Sequence, residues 1–226
     1  IAAVVLEPLS GSAGVIPPPK GYLERIKSIC DKHEILLIFD EIICGLGRLG
    51  CASGSEAFNV VPDIMTIAKQ LTNGVIPMGA AIVKSEIHDV FMDVNTPNYM
   101  LEFSHGYTYS AHPVACAAGI ASLSMLKEED YFKRVRDIAP YFESLIHELK
   151  DFSVVKDIRN FGLAGGITLE HYPSEPARRP FEVAMKMWEQ GYYVRYAGDT
   201  IQIAPAFSVQ ETELDELFES LRDSLS

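Results

Sequence analysis

Cysteine is scarce in this chain: four residues, at positions 30, 44, 51 and 116, with irregular spacing and no C-x-x-C pair. Neither a disulfide framework nor a zinc site is signalled, and reduced thiols in a cytoplasmic protein are the expectation. Basic residues are also short, 19 Lys+Arg against 31 Asp+Glu, for a net charge of −12. Nucleic acid and anionic membrane would both be repelled, and no local basic patch offsets this, so neither is an expected partner. Apolar runs such as Ile35 to Phe39 are far too short to cross a bilayer, and no charged-then-apolar leader opens the chain. There is no H-E-x-x-H, which leaves His105 and His112 without ligand spacing. His33, His147 and His171 read as exposed and solitary, and no metal is expected. G-x-S-x-G is missing too, which removes the commonest serine-hydrolase signal. The chain also lacks an initial Met and begins inside the strand-like Ile1 to Leu6, as a processed chain or a part of something longer would.

What is present is ordinary core material: 226 residues, 48% hydrophobic and 22% charged, enough for one or two domains. Ile1 to Leu6 is a near-continuous apolar run of the kind found in parallel strands covered on both faces. It ends at Glu7-Pro8, and Gly11 to Gly14 followed by Pro17 to Pro19 makes a non-helical loop. Tyr22, Ile26, Ile29 and Cys30 recur at helical spacing between Gly21 and His33, and Ile35 to Phe39 is a second buried strand. Further strands are predicted at Asp63 to Ala68 and Gly79 to Lys84. Strand, helix, strand is a crossover unit, so the fold class is α/β with a mostly parallel sheet.

Beyond Ser110-Ala-His-Pro113, Val114 to Leu126 reads as a closely packed helix. Tyr131, Val135, Ile138, Phe142, Leu145 and Leu149 make another, which Pro140 is expected to kink or interrupt. From about Phe152 the pattern becomes short strands (Val154 to Arg159, Ala164 to Glu170, Tyr192 to Arg195, Thr200 to Ala204) mixed with helices. A final helix carries the stripe Leu214, Leu217, Phe218, Leu221 and Leu225, with Ser208 and Glu211 as its expected capping box. The predicted division is part of a large domain over 1–129 and a smaller α+β domain over 130–226.

Gly45-Leu46-Gly47-Arg48-Leu49-Gly50 fits G-x-G-x-x-G after a strand. Its context is wrong for a dinucleotide: Asp40-Glu41 would repel a pyrophosphate, no apolar-periodic helix follows, and no ribose-binding acid stands about 20 residues on. The segment is read as a flexible loop, and NAD binding is not expected. Asp40 lies at the carboxyl end of a buried strand, where open α/β sheets bind ligands; on the local run alone, a helix cap or a structural salt bridge is the preferred reading. Lys69 ends the strand-like Ile64 to Ala68 and so projects from the same edge. A lone lysine there is usually a solvated surface residue. Together with an acid at the neighbouring strand end, it can serve as a Schiff-base nucleophile. An Asp facing a pyridinium nitrogen plus a Schiff-base Lys is the pairing that pyridoxal phosphate requires.

Three blocks then carry a resemblance: Asp40-Glu-Ile-Ile-Cys-Gly-Leu-Gly-Arg-Leu-Gly50, Asp63-Ile-Met-Thr-Ile-Ala-Lys69-Gln-Leu-Thr-Asn-Gly-Val-Ile-Pro-Met-Gly79 and His105-Gly-Tyr-Thr-Tyr-Ser-Ala-His-Pro113. In that order they resemble the signature blocks of class III aminotransferases, pyridoxal-phosphate enzymes of fold type I. The resemblance implies that Lys69 is the Schiff-base lysine and the proton-moving base. It also implies that Asp40 holds the ring nitrogen and that Ile42, two residues on and on the same strand face, packs on the ring where the family usually has Val. Thr108 would bind the cofactor phosphate from the other subunit of a homodimer or dimer of dimers.

On the substrate side, ornithine- and GABA-type members carry an arginine in the strand corresponding to Ile201 to Pro205, paired with a Glu in the early loop. This chain has Gln202 and Ser12 there. Tyr192-Tyr-Val-Arg195-Tyr-Ala-Gly-Asp199 instead resembles the ω-amino acid:pyruvate subgroup, which makes Arg195 the bidentate clamp on the substrate carboxylate, beside Gln202. Without the resemblance, a surface charge paired with Asp199 is the simpler reading of Arg195. The expected activity is transfer of an amino group from an ω-amino acid or amine, such as β-alanine, to pyruvate. The alternatives are an ornithine- or GABA-type aminotransferase, or an inactive fragment, because the family's glycine-serine phosphate loop and its cofactor-stacking aromatic lie upstream of the matched region.

Overall fold

A computed structural model of the chain describes residues 1–93, 97, 99–100 and 103–226. Its first sheet has the order β1 (Ala3–Leu6), β2 (Leu36–Asp40), β3 (Ile64–Ile67), β4 (Ala80–Val83). The β1–β2 and β2–β3 pairings are parallel and β4 adds an antiparallel edge. Helix α1 (Tyr22–Lys32) makes the β1–β2 crossover and buries Leu23 and Cys30 against Leu37 and Phe39. Side chains alternate along a strand, so Val5 falls on the other face, where it is 64% exposed. Among the described residues, Leu37 and Phe39 are buried on one face of the sheet, whereas Val5 and Leu36 are exposed on the other.

Helix α2 (Gly54–Phe58) was not legible from hydrophobic spacing because it is too short to show a period. It is held by polar contacts instead: Glu41 accepts the Gly54 and Ser55 N–H groups, and Ser53 Oγ accepts Glu56 N–H at 3.0 Å. Gly45, Gly47, Leu49 and Gly50 are buried, so the segment expected to be a flexible loop is a packed turn. Helices α3 (Ser85–Met92) and α4 (Pro113–Glu128) follow β4. None of the helices among the described residues is long and apolar enough to cross a membrane.

The second sheet is antiparallel, in the order β5 (Val155–Phe161), β6 (Ala164–Leu169), β8 (Thr200–Ile203), β7 (Arg195–Ala197). Helices α5 (Tyr131–His147), α6 (Arg178–Glu189) and α7 (Glu211–Leu225) enclose its core, in which Phe142, Ile146, Ile167, Met187, Ile201 and Phe218 are sealed from solvent. Pro140 lies inside α5 without interrupting it, because Val135, Ile138, Phe142, Leu145 and Ile146 on both sides are anchored in this core. The capping arrangement of α7 sits two residues later than expected: Glu213 accepts the Gln210 N–H at 2.8 Å. β7 begins at Arg195, where the sequence pattern ended a strand.

Candidate active site

The carboxyl end of β2 delivers Asp40, whose neighbour across the sheet is Thr66 of β3. Three residues after Thr66, Lys69 opens a short 3₁₀ turn with φ +43°. A lysine in left-handed backbone is uncommon, and here it lets the chain leave the strand and turn at once. Asp40 Oδ1 accepts the N–H of Ile42 at 3.0 Å, and among the described residues Asp40 forms no salt bridge. A half-buried carboxylate with one local backbone partner among the described residues has capacity left for a cationic N–H.

Ile42 is not on the strand, as expected, but in the turn beyond it, since β2 stops at Asp40. Its side chain nevertheless lines a cavity of ≈ 260 Å³ together with Lys69, Arg195 and Gln202. Arg195 and Gln202 are directly paired across β7 and β8. Gln202 Nε2 donates to the Ser12 carbonyl at 3.0 Å, so the early loop does meet this strand, through a neutral contact. Arg195 has no partner at Asp199, whose carboxylate accepts from Thr200 Oγ1 instead. Among the described residues the cavity wall contains three cations, Arg48, Lys69 and Arg195, and no carboxylate, in a chain of net charge −12. Such a cavity is suited to an anionic ligand. Thr108 is exposed in the turn before α4 and does not reach this cavity within the chain.

Two residues of the site region were missed by the sequence reading. Glu41 is almost fully buried. Burial pushes its carboxyl above the ordinary range, while the Gly54 and Ser55 amides pull it back. Its only signal was its place beside Asp40, since its partners lie in a different element. Arg48, read only as part of a glycine motif, donates from Nη1 to the carbonyls of Leu163 at 2.9 Å and Pro205 at 2.6 Å. Cys44, next to Glu41, is no nucleophile: burial and the Glu41 charge push its thiol up to about 12. Glu7 accepts the Gly11 N–H at 2.9 Å and is structural. His147, expected to be solitary, bonds Asn160 at 2.9 Å.

The class-III aminotransferase family profile matches residues 1–225. Among curated relatives, a beta-alanine–pyruvate aminotransferase of Pseudomonas aeruginosa is 54% identical over 226 residues, covering 100% of this chain and 50% of the relative. An omega-amino acid–pyruvate aminotransferase of Pseudomonas putida is 52% identical with the same coverage. The chain thus spans about half the length of these relatives. A solved PLP-bound amine transaminase from an uncultivated Pseudomonas species superposes with a TM-score of 0.91 at 35% identity, over 100% of this chain and 52% of that one.

Proposed function

Because the chain belongs to the class-III aminotransferases and has their α/β transaminase fold, we propose that its protein moves an amino group from an ω-amino acid or amine, such as β-alanine, to pyruvate. The observation that carries this reading is that Lys69, Arg195 and Gln202 share one cavity whose charged lining residues, among the described residues, are all cations. The names of the two Pseudomonas relatives support the same substrates.

The residues present fit pyridoxal phosphate, through an under-used carboxylate at Asp40 and a lysine at the adjoining strand end. When bound, that cofactor supplies an electron sink for the pair left on the substrate carbon. Asp40 would hold the proton on the ring nitrogen, and Ile42 would pack on the ring face. Lys69 Nζ would anchor the cofactor and take the proton from the amine-bearing carbon of the substrate. Arg195 would clamp the substrate carboxylate with two parallel hydrogen bonds, and Gln202 would line the same end. Thr108, which is not in the cavity wall, would serve the phosphate of a partner subunit in a homodimer or dimer of dimers. We place the boundary between the two domains at 129/130. We place the protein in the cytoplasm, on the scarcity and irregular spacing of its cysteines.

The test compares β-alanine with ornithine as donors to pyruvate in the full-length protein carrying this chain. Turnover of β-alanine, abolished by Lys69→Ala, is the expected result. Turnover of ornithine alone would overturn the substrate assignment. Arg195→Ala should raise KM for β-alanine by about tenfold or more and spare amines that lack a carboxylate; unchanged β-alanine kinetics would remove Arg195 from its role.

A further inference from the structure

Arg48 is the one cation of the cavity to which the proposed chemistry gives no task. Its place is set by the turn around it: Gly47 has φ +116° and Gly50 φ +80°, and a Cβ on either would strike Phe207 or Arg136. The guanidinium lies 4.7 Å from the centroid of the Phe207 ring, and its Nη1 bonds the Leu163 and Pro205 carbonyls. The Arg48 carbonyl accepts the Leu163 N–H in return, at 3.0 Å. Among the described residues no carboxylate pairs with it, and burial lowers its pKa to about 10, which leaves it charged at neutral pH.

A partly desolvated cation held only by carbonyls and a ring is costly, and an apolar side chain would fill the same space without that cost. What the arginine adds is reach with direction. Leu163 turns the β5–β6 hairpin, and Pro205 follows β8, the strand that carries Gln202 and adjoins Arg195. One guanidinium nitrogen, Nη1, therefore joins the turn that follows Asp40 to two points on the sheet bearing the carboxylate-binding pair.

We propose that Arg48 is a positioning residue that sets the separation between Lys69 and the Arg195–Gln202 pair, and so the preference for substrates bearing a carboxylate. This rests on the function proposed above. The test uses the full-length protein with Arg48→Gln and Arg48→Lys. The readouts are KM and kcat for β-alanine, the inhibition constant of propionate, the single-turnover rate with benzylamine, and the melting temperature. Arg48→Gln is expected to raise both the β-alanine KM and the propionate constant by about tenfold, with the benzylamine rate falling less than about threefold. Arg48→Lys, still able to reach one carbonyl, should lie between. Equal losses for β-alanine and benzylamine, or an unchanged propionate constant, would overturn the proposal. If Arg48→Gln does not fold, Arg48→Lys decides by the same criteria. An unsubstituted protein without aminotransfer would refute the proposed function itself, before any substitution is made.

Discussion

Asp40 and Glu41 are adjacent carboxylates with opposite surroundings. Asp40 keeps one local backbone bond and has capacity for a ligand, whereas Glu41 spends both oxygens on the first amides of α2. Glutamine at 41 has a single acceptor oxygen, so one buried N–H would face an NH₂ group. Glu41→Gln should cost about 1–3 kcal/mol, read as a lower urea midpoint; an unchanged midpoint would mean that water replaces the lost acceptor. Asp40 and Lys69 were legible because each ends a recognisable strand, a purely local signal. Arg195 and Gln202 needed the family resemblance, since strand ends alone left Arg195 a surface charge. Glu41 and Arg48 were not legible as structural ties, because their partners lie 13 to 157 residues away in the chain.

Long amphipathic stripes gave the helices α1, α5 and α7, and apolar runs gave the strands of the first sheet, because both report burial directly. Short elements failed that test: α2 has five residues, and its cause is a carboxylate outside it. Pro140 shows the opposite error, a strong local breaker overruled by the core contacts around it. It still removes one N–H and crowds the Arg136 carbonyl, and its own side chain is exposed. Pro140→Ala should therefore restore a helix bond without opening a cavity and stabilise the protein by about 1–3 kcal/mol. A higher melting temperature is the expected reading, and a lower one would show that α5 uses the proline to set its axis against α7.

At the scale of the whole molecule, single polar side chains tie together segments that hydrophobic spacing describes separately. Arg134 reaches the carbonyls of Phe207, Ser208 and Val209, and Arg159 reaches Gly14 in the early loop. In the first sheet Asp63 has this part: it accepts the Leu37 N–H at 2.8 Å and pairs with Lys84 at 2.7 Å, linking β2 to the end of β4. Burial alone would raise the Asp63 carboxyl, but the Leu37 amide and Lys84 outweigh it and hold the pKa below the ordinary value. A carboxyl with a lowered folded pKa binds fewer protons folded than unfolded. Its stabilisation is therefore full above the unfolded value and is lost as pH falls through the folded one. Asparagine keeps an acceptor for Leu37 and deletes this proton linkage. Asp63→Asn should cost only about 0.5–1 kcal/mol near neutrality, since Lys84 is 37% exposed, and should flatten the acid limb of the stability curve. Urea unfolding followed from about pH 7 down to about pH 3 measures both effects. Parallel curves for the two proteins would show that the strand-end tie carries no proton linkage and that acid sensitivity arises at other carboxylates.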